Sequence, residues 1–103
     1  MLKAGIIGAT GYTGLALIST LISHPDITVT LITSNTYKGK KISQIFPLLK
    51  GRFEETLIPT DDNHAGKCDV YFLCLPHGTS MEAAKKLFDG KALIIDLSAD
   101  FRF

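Results

Sequence analysis

Three glycines, Gly8, Gly11 and Gly14, punctuate the stretch Gly8-Ala9-Thr10-Gly11-Tyr12-Thr13-Gly14 near the start of this 103-residue chain. A glycine-rich turn suits one kind of chemistry: backbone N–H groups approach a phosphate closely because no side chain intervenes. Between a buried strand and a helix, such a turn is where Rossmann-type domains hold a dinucleotide pyrophosphate. Each glycine has a separate possible task. One lets the chain turn off the strand, one lets backbone approach phosphate, and one lets the helix pack close to the sheet. The free N–H groups of the first helical turn and the helix dipole then face the anion. The spacing here is G-x-x-G-x-x-G, one residue longer than the familiar G-x-G-x-x-G. The alternative is a strand-to-helix turn that needs glycine for backbone reasons only, and the spacing leaves both open.

The other chemistry-bearing residues are sparse. The cysteines are two, Cys68 and Cys74. On one extended strand they stand about 20 Å apart, beyond the ~7 Å a disulfide tolerates, so free thiols and a reducing cytoplasmic setting are expected. His24, His64 and His77 are far apart and join no metal-ligand spacing with the cysteines. Cys74 lies inside an apolar run and is expected to be a small core residue rather than a nucleophile.

The elements that must position these residues are legible from hydrophobic periodicity. Leu2 to Ile7 is short and apolar, a buried strand. Leu15, Ile18, Leu21 and Ile22 recur at helical steps, giving a helix that starts near Thr10 to Thr13 and stops by His24, before Pro25. Ile27 to Thr33 is almost wholly β-branched and forms strand two, completing a parallel, right-handed βαβ unit. Ile42 to Leu49 is a short amphipathic helical piece closed by Pro47. Phe53 to Ile58 is expected as strand three, Asp69 to Leu75 as a fully buried fourth, and Ala92 to Leu97 as the fifth. Thr79 and Glu82 have capping-box spacing, so a helix is expected from Ser80 to about Phe88, ended by Gly90. The fold class is α/β: a Rossmann-type parallel sheet with flanking helices, incomplete at its C-terminal end.

The end of strand two bears on the ligand. A domain selective for NAD usually carries an acid there to hold the ribose 2′-hydroxyl. Here Thr33-Ser34-Asn35-Thr36-Tyr37-Lys38-Gly39-Lys40-Lys41 contains no carboxylate. Hydroxyls of Thr33, Ser34 and Thr36 can meet a 2′-phosphate, and Lys38, Lys40 or Lys41 can add positive charge. NADP is therefore favoured over NAD. The alternative for the lysines is a solvated polar loop. The loops Pro76 to Ser80 and Ser98 to Arg102 follow strand carboxyl ends, where ligands of open α/β sheets bind. His77 is placed to touch a cofactor or merely to cap backbone. Arg102 is placed to bind a phosphate or to form an ordinary surface ion pair.

Bulk properties set the bounds. The length permits one domain, and 46% hydrophobic residues indicate a folded chain. The net charge of +1 is made of interspersed acids and bases, without a nucleic-acid or membrane-surface footprint. No apolar run reaches the ~20 residues of a membrane helix, and Met1 leads straight into the first strand.

Three stretches together, Gly8-Ala9-Thr10-Gly11-Tyr12-Thr13-Gly14, Leu75-Pro76-His77-Gly78 and Asp96-Leu97-Ser98-Ala99-Asp100-Phe101-Arg102, resemble the start of the N-acetyl-gamma-glutamyl-phosphate reductases of arginine biosynthesis. The glycine turn is shared with aspartate-semialdehyde dehydrogenases; the other two stretches are more specific. Phe46-Pro47-Leu48-Leu49 and Gly51 also resemble the family's proline-containing loop. The resemblance implies a homo-oligomeric enzyme that uses NADPH to reduce an acyl phosphate to an aldehyde, through a cysteine thioester and a histidine acid/base. It implies that Gly8, Thr10, Gly11, Tyr12, Thr13 and Gly14 cradle the pyrophosphate. It implies that Ser34 faces the 2′-phosphate, with Lys38 nearby, and that Leu75, Pro76 and His77 lie by the nicotinamide. Where the family often has arginine after that serine, this chain has Asn35. The family's catalytic cysteine follows an asparagine-proline-glycine context, which does not occur here. The expectation is a dinucleotide-binding domain over residues 1–103, with the substrate domain absent and no reductase activity alone. Such a partial sheet is expected to expose apolar surface or an open strand edge. Two other readings stand beside it: a free-standing dinucleotide-binding module with a regulatory role, and an α/β domain with no ligand.

Overall fold

The computed structural model of the chain describes residues 2–60, 66–75 and 92–97. Among these residues four strands, β1 (Leu2–Ile7), β2 (Ile27–Ile32), β3 (Val70–Leu73) and β4 (Leu93–Asp96), form one parallel sheet in the order β2-β1-β3-β4. Strands β1 and β2 grow in one direction and β3 and β4 in the other. The reversal between β1 and β3 is the topological switch point of an open α/β sheet. The expected helix over Ser80 to Phe88 lies outside the described residues, as does His64.

Helix α1 spans Tyr12–Leu21 and follows the expected bounds. Its buried positions Gly14, Ile18 and Leu21 are spaced at four and three residues, so one side lies against the sheet. Leu15 and Ile22 pack beside them, half-buried. Alternation along the strands divides the core between two faces. Ala4, Ile6, Val29, Ile32 and Val70 join Ile18 and Leu21 on the α1 face. Ile7, Leu31, Tyr71 and Leu73 line the other, with Cys68. β3 is buried as expected except for Phe72, which is half-buried. Leu93 of β4, the terminal strand of the described sheet, is 59% exposed, so apolar surface does stand open at that edge.

Two expectations need correction. The Ile42 to Leu49 piece is two elements: α2 (Ile42–Ile45) and a 3-10 turn over Pro47–Leu49. Pro47 begins the second rather than closing the first, because a proline at the first helical position forfeits only an N–H that has no partner there. More substantially, Phe53 to Ile58 is not a strand. It meets its neighbours only at isolated bridges, Ile58 beside Thr33 and Thr56 beside Lys41. Its hydrogen bonds are split between two partners. Ile58 donates to the Ile32 carbonyl at 3.1 Å and accepts from the Ser34 N–H at 2.9 Å. Leu57 instead donates to Lys40 at 2.8 Å and accepts from Gly39 at 2.7 Å. Pro59 then has no N–H to extend the ladder.

Candidate functional site

A cleft of about 260 Å³ opens at the carboxyl ends of β1, β2 and β3. Gly8, Thr10 and Gly11 line it from the β1 side, Ser34, Asn35 and Thr36 from the β2 side, and Cys74 and Leu75 from β3. Thr60 completes it. The sheet topology thus gathers residues up to 67 positions apart, from Gly8 to Leu75, at the switch point. Among the described residues no carboxylate lines this cleft. A larger one of about 750 Å³, with Lys41, Lys50 and Glu54 on its walls, lies away from the glycine turn.

The three glycines have three different surroundings. Gly8 has φ +79°, a conformation that L side chains adopt only under strain, and a Cβ there would come within 2.5 Å of Leu75. It is the residue that turns the chain off β1. A Cβ on Gly14 would overlap the Ala9 carbonyl group, so this glycine sets how closely α1 packs. Gly11 is different. Its φ of −90° and ψ of 179° are open to any residue, and among the described residues nothing beyond its chain neighbours lies within 4 Å of where its Cβ would stand. Neither its conformation nor packing among the described residues requires glycine at position 11, and its missing side chain leaves the approach to the helix start open. Gly11 is also the N-cap of α1, and no side chain caps that helix start. Without a side chain at the N-cap, the first N–H groups of α1 are suited to an external acceptor.

The β2 side of the cleft is held by hydroxyls. Thr33, fully buried, does not face a 2′-phosphate as the sequence suggested. Its Oγ1 accepts the Gly8 N–H at 3.1 Å and the Thr60 hydroxyl at 2.6 Å, and its carbonyl accepts the Ala9 N–H at 2.9 Å. The residue was legible as a hydroxyl but not as the anchor of the glycine turn. Ser34, 4% exposed, accepts the Tyr37 N–H at 3.1 Å and stands 3.5 Å from the Thr10 hydroxyl. Asn35 Oδ1 accepts the Thr60 N–H at 2.9 Å, which leaves the amide NH₂ as that side chain's remaining polar group. Lys38 is exposed and does not line the cleft. Thr13 is exposed on the first turn of α1. Pro76, His77 and Arg102 lie outside the described residues. Thr60 is the lining residue that the sequence did not reveal. Its partners are 25 and 27 positions away, so no local pattern marks it.

Both cysteines are free. Cys68 is buried with its sulfur 3.7 Å from the Thr30 hydroxyl, and desolvation raises its thiol above the ordinary range. Cys74 lines the cleft, but burial, with the negative charge of Asp96 adding to it, pushes its thiol up to about 11. A thiol so shifted is protonated near neutrality and a poor nucleophile, which agrees with the packing role expected for it. Among the described residues no group of three or more His, Cys, Asp or Glu side chains is placed to hold a metal ion. None of the described helices is long and apolar enough to cross a membrane.

Comparison with known proteins bears on what such a cleft holds. Residues 3–103 match the family model described as semialdehyde dehydrogenase, NAD binding domain. The chain is 42% identical over 102 residues to an N-acetyl-gamma-glutamyl-phosphate reductase of Polynucleobacter asymbioticus, covering 99% of this chain and 29% of that protein. It is 43% identical to the reductase of the same name from Saccharophagus degradans, again over 102 residues, covering 30% of it. The chain therefore spans about three-tenths of the length of these curated relatives. Among solved structures it superposes on aspartate semialdehyde dehydrogenase with NADP from Candida albicans with a TM-score of 0.79, at 22% identity, over 98% of this chain and 30% of that one. That likeness establishes the Rossmann-type fold.

Proposed function

Because the chain belongs to the semialdehyde dehydrogenase NAD-binding domain family, we propose that it is the NADP-holding portion of an N-acetyl-gamma-glutamyl-phosphate reductase. The observation that carries the binding site is Gly11: among the described residues nothing packs where its side chain would stand, and it opens a helix start with no side-chain cap. The reductases that the chain resembles at 42–43% identity support the assignment of the whole protein.

In this reading Gly8, Thr10, Gly11, Tyr12, Thr13 and Gly14 hold the pyrophosphate at the N-terminus of α1. Gly8 and Gly14 shape the turn, and Gly11 leaves the way open. Ser34 meets the adenosine 2′-phosphate, with Asn35, Thr36 and Lys38 around it. The absence of a carboxylate from the stretch after β2, and from the described lining, supports NADP over NAD, since an acid in that position repels the phosphate. Leu75, followed by Pro76 and His77, lies toward the nicotinamide, and Arg102 serves the substrate phosphate. The dinucleotide, when bound, supplies a hydride. Cys74 keeps its proton and contributes packing beside Gly8 rather than attack on an acyl carbon. The thioester-forming cysteine and the acid/base histidine of the acyl-phosphate reduction are thus supplied from outside these 103 residues, in a cytoplasmic, homo-oligomeric protein. Titration of the purified protein with NADPH and with NADH, followed by nucleotide fluorescence at fixed ionic strength, tests this. Tighter binding of NADPH is expected, and binding of neither dinucleotide overturns it.

A further inference from the structure

We infer that Thr60 is a positioning residue for the dinucleotide, tying together the two halves of the cleft from a segment that belongs to neither. This inference rests on the dinucleotide reading above. The two halves are separate loops. The glycine turn follows β1 and carries the N–H groups offered to phosphate. The Ser34 loop follows β2. Thr60 reaches both with different groups. Its backbone N–H donates to Asn35 Oδ1 at 2.9 Å, which holds the β2-side loop. Its hydroxyl donates to Thr33 Oγ1 at 2.6 Å, and that same oxygen accepts the Gly8 N–H at 3.1 Å. A three-member relay, Thr60 to Thr33 to Gly8, therefore runs to the residue whose φ of +79° sets the whole turn.

The relay explains two otherwise unconnected facts. A fully buried hydroxyl at Thr33 is costly unless its oxygen is used, and here it accepts two hydrogen bonds. The segment Phe53 to Ile58 fails as a strand, yet its Ile58 still bridges to Thr33. That single bridge, followed by Pro59, delivers Thr60 to the cleft, where it is one of the lining residues. Because the Thr60 hydroxyl acts on the pyrophosphate turn, its loss should weaken NADPH and NADH alike. Loss of a group that reads the 2′-phosphate should not.

The test compares Thr60→Val, which keeps the shape and removes the hydroxyl, with Thr60→Ser, which keeps the hydroxyl. Expected for Thr60→Val is about fivefold to tenfold weaker binding of both nucleotides, the size of one lost hydrogen bond. Thr60→Ser should bind within about twofold of the unsubstituted protein, a rescue that a merely space-filling role does not predict. Hydrogen exchange of the Gly8 amide supplies a second measurement, made without nucleotide. It should be slow in the unsubstituted protein and faster in Thr60→Val. Unaltered nucleotide affinity in Thr60→Val overturns the proposal, as does a Gly8 amide that exchanges freely in the unsubstituted protein. Failure of the unsubstituted protein to bind either dinucleotide is a different result: it removes the dinucleotide reading itself, and this inference with it.

Discussion

The hydroxyl oxygens of Thr10 and Ser34 stand 3.5 Å apart and join the glycine turn to the loop after β2. Twenty-four positions separate them in the chain. One belongs to the half of the cleft that suits a pyrophosphate, the other to the half that suits an adenosine 2′-phosphate. On the proposed reading a single extended dinucleotide touches both halves, and the described wall between them, which carries no acid, suits a phosphate on the ribose.

Gly11→Ala separates ligand binding from folding. The φ of −90° accepts alanine, and among the described residues beyond its chain neighbours no atom lies within 4 Å of the new methyl. Folding stability should change by less than about 1 kcal/mol, the scale of an altered helix N-cap. Nucleotide affinity should fall at least about tenfold, since the methyl enters the approach to the helix N-terminus. Denaturant unfolding beside fluorescence titration checks both; undiminished affinity would contradict the role given to Gly11.

Gly14→Ala should do the reverse. Its Cβ overlaps the backbone of Ala9, which cannot swing aside as a side-chain tip can. A loss of about 2 kcal/mol or more is expected, as for other forced overpacking. Gly8→Ala combines positive φ with a 2.5 Å approach to Leu75 and should cost about 1–3 kcal/mol. Urea midpoints of the two variants are the measurement, and a midpoint unchanged in either would show that its turn is not needed as drawn.

Cofactor choice should respond to charge at Ser34. Aspartate in its place retains an acceptor for the Tyr37 N–H, a contact now at 3.1 Å, so the local turn is kept. The added negative charge should weaken NADPH about tenfold while affecting NADH less, an electrostatic penalty of about 1–2 kcal/mol. The ratio of the two dissociation constants is the readout, and an unaltered ratio would place the 2′-phosphate elsewhere.

The Cys74 thiol should act on alkaline stability. Its pKa rises from a model-peptide value of 9.0 to about 11 through burial, with Asp96 adding to it. A folded pKa above the unfolded one means that the native state holds the proton longer. The stabilisation is full below pH 9 and is lost as pH rises toward 11. Cys74→Ala should therefore show a shallower fall in unfolding free energy across that window than the unsubstituted protein. Alkylation of Cys74 in the native protein should stay slow at pH 8. Rapid native-state alkylation there would mean that the thiol is activated after all.

Much of this molecule was legible because its signals are local. The strand–glycine turn–helix unit from Leu2 to Leu21 depends on residues that are neighbours in the chain, and periodicity marks them directly. The buried apolar run that became β3 and the acid-free stretch after β2 were equally plain. Phe53 to Ile58 misled for a physical reason: extended residues read as a strand whether or not one partner takes all their hydrogen bonds. Here they are spread over Ile32 and Ser34, Gly39, Lys40 and Ile42, and Leu49.

The residue types alone determined a parallel α/β chain with a glycine-rich turn at its first strand–helix junction. Local sequence also supplied the set of three glycines, but not the task of each. Those tasks are decided by what stands opposite: Leu75 at Gly8, the Ala9 carbonyl at Gly14, and open space at Gly11. Only the folded chain brings Thr60 to Thr33 and Asn35, because hydrogen bonds between positions 25 and 27 residues apart leave no mark on the spacing of side chains along the sequence.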